Sequence, residues 1–292
     1  MNNPNIIITE HIKQFHKWQD HIVSGETVYS GINIKYAAIF DGHGSDDVIN
    51  FIRNISINKM NDIMSTNHPG KILFDYINNS KICNYYKSSG STMCLARIFP
   101  TYIEITNIGD SQAVVFKNKK IEFITKPHNC NNEIECSRIK LLPNFLEFKN
   151  TSNIKMINNN MLYGIESQHV IFNDKSALAT TQALGHNGKT GVKPDIYIVD
   201  YKDTDNLRIL LGSDGFFDMV CKEETTNNIL LEDLYEIADL PGQLIINRAI
   251  NRWLQEWKVC PYLDKSIVEV QSFDEEDCDD ISIIIIDIFE KL

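Results

Sequence analysis

Tyr36-Ala37-Ala38-Ile39-Phe40-Asp41-Gly42-His43-Gly44 decides how the chain is read, because five apolar residues stop abruptly at Asp-Gly. So short a run without polar alternation reads as a strand buried on both faces and ended by a turn. Ser45, Asp46 and Asp47 then supply an N-cap and an acidic first turn. Val48, Phe51, Ile52, Ile55, Met60, Ile63 and Met64 follow at roughly helical spacing, which predicts one long amphipathic helix on that strand.

Further out, the period falls to two between 91 and 124, in Tyr102-Ile103-Glu104-Ile105-Thr106-Asn107-Ile108, Ala113-Val114-Val115-Phe116 and Ile121-Glu122-Phe123-Ile124. Lys117-Asn118-Lys119-Lys120 makes a polar turn, so this region reads as an antiparallel meander. Ile209-Leu210-Leu211 reads as a buried strand, 230–238 and 243–257 as helices, and 281–286 as a last strand. In the second of these helices Leu244, Ile245, Ala249, Ile250, Trp253, Leu254 and Trp257 form one stripe, read as a helix-on-sheet contact. The Asn-rich segment near 144–160 keeps recurring hydrophobic residues and reads as a surface insertion, so 1–292 is taken as one domain.

Of the 292 residues 43% are hydrophobic and 23% charged, which gives ample material for a core and excludes a disordered or collagen-like chain. Lys and Arg number 28 against 39 Asp and Glu, a formal charge of -11 that repels phosphate backbones and anionic lipid. Nucleic-acid and membrane-surface roles are therefore not expected. The seven cysteines are scattered and contain no Cys-x-x-Cys, which fits a reducing compartment rather than a disulfide framework or zinc cage. The amino terminus has no basic region before its short apolar run, and no stretch reaches the roughly 18 apolar residues of a membrane span. A soluble intracellular protein of cytoplasm or nucleus, not secreted and monomeric by default, is expected.

Aspartates fall at the ends of apolar strands: Asp41 after Ile39-Phe40, Asp214 after Leu210-Leu211, and Asp279-Asp280 before the final strand. One such Asp beside Gly is usually a turn former. Three together suit hard cations such as Mg²⁺ or Mn²⁺, which take oxygen ligands and retain several waters. The Gly42 carbonyl adds a further oxygen, and His43 a group able to hydrogen-bond or transfer a proton beside a cation-bound ligand. The residues by themselves point to a metal-assisted hydrolase.

In order along the chain stand Phe40-Asp41-Gly42-His43-Gly44, Ser89-Gly90-Ser91-Thr92-Met93, Asn107-Ile108-Gly109-Asp110-Ser111-Gln112-Ala113, Ala183-Leu184-Gly185, Gly212-Ser213-Asp214-Gly215-Phe216-Phe217-Asp218 and Asp279-Asp280-Ile281-Ser282. This ordered set, running from about Trp18 to Ile286, resembles the metal-dependent serine/threonine protein phosphatases of type 2C, the PPM family. The resemblance implies an α+β fold, a four-layer α-β-β-α sandwich of two antiparallel sheets flanked by helices, with two Mg²⁺ or Mn²⁺ ions at one edge. By it Asp41 bridges both ions, the Gly42 carbonyl binds one, Asp214 and Asp279 complete the other, and His43 is the general acid. A water between the ions attacks phosphorus in line, and the substrates are phosphoserine and phosphothreonine in proteins. The Gly90-Ser91-Thr92 and Gly109-Asp110-Ser111 strings are expected to support the site rather than do chemistry.

The chain departs from the family pattern around the same site. Gln19-Asp20 stands where the family has an acidic pair, with Gln19 uncharged and Asp20 a second-shell acceptor by expectation. Phe15 aligns with a phosphate-gripping Arg, leaving Lys13 or Lys17 to offer a point charge. Lys126-Pro127-His128-Asn129 keeps a His but puts Pro127 where a carboxylate for an additional ion stands, which counts against a third ion despite Asp218. Gln182 replaces a usual Arg, and His186 an acid. The leading expectation is an active phosphatase, because Asp41, Gly42, His43, Asp214 and Asp279 are all present. The alternative is a pseudophosphatase, a weak or inactive binding module of the same fold for phosphoproteins or a partner. A metal-dependent nuclease is disfavoured by the acidic charge.

Overall fold

The computed structural model describes residues 5–80, 88–202, 205–226, 228–260 and 268–289. Among them the strands form three sheets. The first is ordered β1 (Asn5–Lys13), β17 (Ile281–Phe289), β14 (Leu207–Gly212), β7 (Gln112–Lys117) and β8 (Lys120–Ile124). The second is ordered β12 (Leu184–Gly185), β4 (Ser89–Ser91), β3 (Ile32–Gly44), β5 (Met93–Ile98), β6 (Tyr102–Ile108) and β13 (Asp195–Asp200), with β2 (Asp20–Tyr29) also on β3. Every pairing in these two sheets is antiparallel.

The continuous apolar runs are explained by two buried faces. In β3, Ala37 and Ile39 face the other sheet, while Tyr36, Ala38 and Phe40 face helices. In β17, Ile284, Ile286 and Ile288 enter the inter-sheet core, and Ile283 and Ile285 the opposite layer. Successive strand residues point to opposite faces, so a strand covered on both sides needs an apolar residue at each position. Helices α1 (Asp47–Arg53), α2 (Ile57–Met64) and α3 (Pro69–Asn78) cover the second sheet. Helices α5 (Asp214–Phe217), α6 (Leu231–Ile237) and α7 (Gly242–Leu254) cover the first, and α4 (Glu133–Ile139) packs apart from both. This is the four-layer α-β-β-α sandwich that the sequence motifs imply.

Four local expectations need correction. The single helix from Val48 to Met64 is two, because the Asn54 side chain bonds back to the Asn50 carbonyl at 2.7 Å and Ser56 is extended, accepting from Lys59 N as the cap of α2. Short polar side chains compete for backbone groups in this way and end helices. Ser45 is not the N-cap; Asp46 holds that place without a side-chain cap bond, and Ser45 Oγ donates to Asp47. The meander is two hairpins in different sheets, β5–β6 and β7–β8, with the chain crossing after β6 at Gly109, whose φ is +95°. The second helical stretch stops at Leu254, so Trp257 lies in a strand, and Leu244 and Leu254 are exposed rather than part of the buried stripe.

The Asn-rich segment is mostly strand. β9 (Phe145–Asn158) and β10 (Met161–Phe172) form a long hairpin in a third sheet, with β11 (Ala177–Leu178), β15 (Glu256–Cys260), parallel to β10, and β16 (Glu269–Ser272). Asn is poorly represented in strands but common in turns, which is why composition concealed them. The six cysteines among the described residues are free, and Cys83 lies outside those residues.

Candidate functional site

β3 leaves the sandwich core through Asp41, where its partner changes. It pairs with β5 as far as Ile39 and with β4 from Gly42 onward. Thr92 closes the interval: its N donates to the Asp41 carbonyl at 2.8 Å, and its Oγ1 accepts from Asp41 N at 3.2 Å. Ser111 Oγ braces Thr92 Oγ1 at 2.6 Å. The buried Asp41 carboxylate is thereby aimed past the strand ends, where its Oδ2 accepts from Asp214 N at 3.3 Å.

Asp214 opens α5 directly after β14, and Asp279 precedes β17, the neighbour of β14. Ser213 N donates to the Ser282 carbonyl at 3.0 Å, and Ser282 N to Ser213 Oγ at 3.0 Å, which locks the two strand ends together. Gly215 makes that approach possible, since a Cβ there would come within 2.1 Å of the Asp280 carbonyl oxygen. Asp280 itself is buried and accepts from Phe15 N and Gln19 N at 2.6 Å each. It clamps the connection from β1 to β2, on which Trp18 is held at φ +55°, an uncommon conformation for so bulky a residue.

The clamp delivers Lys17 into the acids. Its Nζ lies 2.7 Å from Asp279 Oδ2, and although burial pulls its pKa down, Asp279, Asp214 and Asp41 together hold it above the usual lysine value. The acids respond in kind. Burial, then Asp214, Asp20 and Asp279, push Asp41 well above the ordinary carboxylate range; burial, then Asp279, Asp110 and Asp218, do the same to Asp214.

Among the described residues, no three His, Cys, Asp or Glu side chains already stand together at ligating geometry. The fit to a hard cation lies in the donor chemistry. Carboxylates from three elements and a backbone carbonyl offer only oxygen, and the crowded negative charge already draws in an ammonium.

His43 continues β3 and meets His186 across the site. Nδ1 of His43 lies 3.2 Å from Nε2 of His186, the rings stacking at 4.9 Å between centroids. His186 is buried, with φ +50°. Gly90 on β4 admits the pair, because a Cβ there would fall 2.3 Å from His186 Nε2 and 2.6 Å from His43 Cε1. Gly90→Ala is expected to displace the imidazoles while the fold survives. Shifted ring resonances of His43 and His186 beside an unchanged melting curve check this, and unmoved resonances contradict it.

A family model for protein phosphatase 2C matches residues 12–231. The chain belongs to the protein phosphatase 2C family. Mouse (Mus musculus) protein phosphatase 1B is 25% identical over 248 residues, covering 71% of this chain and 57% of its own length. The probable protein phosphatase 2C 28 of Arabidopsis thaliana is 26% identical over 257 residues, covering 81% and 66%. The chain thus spans less than two thirds of either relative. The catalytic domain of the serine/threonine phosphatase PstP, solved with two manganese ions, superposes with a TM-score of 0.57 over 98% of this chain and 99% of its own, at 13% identity, a likeness of fold.

Phe15, Gln19 and Gln182, expected from the sequence as departures from the protein phosphatase 2C pattern, each have a visible local role. Phe15 is buried in the core beneath Lys13, whose Nζ is 4.6 Å from the ring centroid. Gln19 points its amide to the Gly44 carbonyl and Asp46, at 2.9 and 2.7 Å, and Asp20 lies buried in register with Asp41. Gln182 is spent on Lys193, accepting from its N and donating to its carbonyl. His128 stands back from the acids; its Nδ1 accepts from Gly109 N at 3.1 Å and its Nε2 lies 3.2 Å from Asp195, a clasp on the turn before Asp110.

Two features of the acid cluster were missed in the sequence. Asp110, read only as support, is half-buried and its charge helps to raise the Asp214 pKa, its own being pushed up to about 6 by burial and then Asp218. Asp218 is more than half exposed, 3.9 Å from Lys222. The Lys17–Asp279 pair was not foreseen either, for lack of any signal linking residues 262 apart. Lys17→Met is expected to tighten Mn²⁺ binding about threefold, the scale of a partly exposed ion pair, by freeing Asp279. Titration calorimetry reads this directly, and weaker binding contradicts it.

Proposed function

We propose that the chain is a serine/threonine protein phosphatase that hydrolyses phosphoserine and phosphothreonine in proteins with the aid of two Mg²⁺ or Mn²⁺ ions. The observation that carries this reading is the convergence of Asp41, Asp214 and Asp279 from three chain segments around one ammonium. The two manganese ions of the PstP catalytic domain support the ion count. When bound, such ions lower the pKa of a water and offset the charge of the phosphoryl oxygens. Asp41, the Gly42 carbonyl, Asp214 and Asp279 are the residues that would hold them. Gln19 braces Gly42, its carbonyl accepting from Gly42 N at 2.9 Å, and Lys17 has reach to a phosphoryl oxygen once it leaves Asp279.

His43 serves the leaving group. Burial, then His186 and Lys17, pull its pKa down to about 3, so the ring is neutral at pH 7 and acts through an N–H. Its Nε2 makes no hydrogen bond within the described residues but is buried, so the ring or its cover has to shift before that atom meets the departing serine or threonine oxygen. As Nε2 gives up its proton, Nδ1 takes one from His186 Nε2 across the 3.2 Å bond, so His43 stays neutral and the deficit on His186 is made up by the proton released from the water consumed in hydrolysis. His43→Ala is accordingly expected to slow phenyl phosphate hydrolysis about a hundredfold, and p-nitrophenyl phosphate, whose leaving group needs little protonation, less than about tenfold. Equal losses on both substrates would remove His43 from the proton path.

A second reading, a phosphatase-fold module that binds phosphoproteins with little turnover, draws support from Phe15 in the core and Lys17 on Asp279. It requires phosphopeptide binding without phosphate release in Mn²⁺. Under either reading the protein is taken as one intracellular, soluble, monomeric domain with 144–160 as a surface insertion. The free cysteines support this, and no helix among the described residues is long and apolar enough to cross a membrane.

A further inference from the structure

We propose that the exposed indole of Trp18 is a contact for the peptide chain that flanks the phosphorylated residue of the substrate. The inference rests on the phosphatase reading and names a residue for the protein part of the substrate rather than for its phosphate. Trp18 is placed by its two neighbours. Lys17 sends its ammonium to Asp279 at 2.7 Å, and Gln19 its amide to the carbonyl of Gly44, the residue after His43, at 2.9 Å. Trp18 therefore stands between one side chain that touches the acids and one that touches the strand carrying His43. Successive Cα atoms are ~3.8 Å apart, so a phosphate delivered to these acids brings its flanking residues within reach of the ring.

The ring does nothing for the fold. It is 64% exposed, and among the described residues it has no hydrogen bond through its N–H and no stacking partner. Trp253 and Trp257, by contrast, are buried and donate to the Gly215 and Arg252 carbonyls at 2.8 Å each. The Trp18 backbone opposes folding as well, because φ is +55°, a conformation that glycine adopts without strain and a bulky residue does not.

That conformation is imposed from both sides. Asp280 accepts from Phe15 N and Gln19 N at 2.6 Å each, and Arg53, in the last turn of α1, donates to the carbonyls of Trp18 at 2.7 Å and of Asp20 at 3.0 Å. Rare backbone conformations persist only where the surroundings over-determine them, and they gather at active sites and ligand clamps. Here the clamp holds a large ring out into water on a fixed mount, one residue from the acids. Such a mount loses little freedom when a partner arrives. An indole offers a wide apolar face and a single donor, which suit it to cover a peptide side chain while its N–H meets a backbone carbonyl.

The test reads Trp18 in the full chain in Mn²⁺, with a peptide that carries a non-hydrolysable phosphonate analogue of phosphothreonine. Because Trp253 and Trp257 are buried, quenching of tryptophan emission by acrylamide reports on Trp18. Saturating peptide is expected to lower the quenching constant at least about twofold, since a ring covered by a partner is shielded from solvent. Trp18→Gly removes the ring and the backbone strain together. The variant is expected to melt no lower than the parent, to bind the peptide at least about tenfold more weakly, and to bind inorganic phosphate within about twofold of the parent. Absence of peptide binding, quenching unchanged by bound peptide, peptide affinity kept in the variant, a lower melting temperature, or an equal loss for inorganic phosphate overturns the contact. Hydrolysis of p-nitrophenyl phosphate by the unmodified protein tests the phosphatase reading separately: its absence beside a shielded Trp18 overturns that reading and leaves the contact standing.

Discussion

Asp41→Asn is expected to reduce Mn²⁺-dependent phosphate release by about a thousandfold or more while leaving a folded protein whose metal-free form is at least as stable as the parent. The two effects have one cause. Burial, then Asp214, Asp20 and Asp279, hold the Asp41 carboxyl well above its usual pKa, so its charge opposes folding until a cation arrives. Asparagine keeps the shape and the acceptor for Asp214 N but removes both the repulsion and the charged ligand. In the parent, Mn²⁺ at a hundred times its Kd adds ~2.7 kcal/mol of stability by mass action. For a domain of this size that is a rise in Tm of about 5 °C. The variant is expected to show no such rise. A metal-induced shift equal to the parent's removes Asp41 from the cation site.

Asp280→Ala is expected to cost about 3–5 kcal/mol, the largest stability loss of any single change near the site. The carboxylate is buried and accepts two short bonds, from Phe15 N and Gln19 N, and alanine leaves both donors without an acceptor. Those two residues bracket Lys17 and the positive-φ Trp18, so the β1–β2 connection loses its anchor and Lys17 its delivery to Asp279. Thermal unfolding is expected to shift down by roughly 10 °C. A loss under about 1 kcal/mol would show that the connection holds itself in place without the clamp.

What the sequence revealed depended on whether the signal was local. The strands of the sandwich core were legible because each is an apolar run bounded by turn residues, and Asp41, Asp214 and Asp279 stood out as candidates because each borders such a run. The division of the 91–124 region between two sheets was not legible, since alternation reports that a residue pair has two faces but not which sheet owns them. The helix from Val48 to Met64 concealed its break because Asn54 and Ser56 act through hydrogen bonds, which hydrophobic spacing does not register. The His43–His186 pair joins residues 143 apart through the gap left by Gly90, and no motif marks such a gap. Lys17 was noted as a charge near an absent arginine; that it would lie against Asp279 followed only from the Asp280 clamp.

On the proposed function these strand-end carboxylates make a cation-dependent phosphatase despite Phe15, Gln19, Pro127 and His186. The most direct measurement is phosphate release from a phosphothreonine peptide by the purified chain in Mn²⁺, in Mg²⁺ and in chelator. Turnover is expected with either cation, abolished by chelator and restored by adding the metal back. Turnover that persists in chelator, or none in Mn²⁺ from folded protein that binds the peptide, would contradict it.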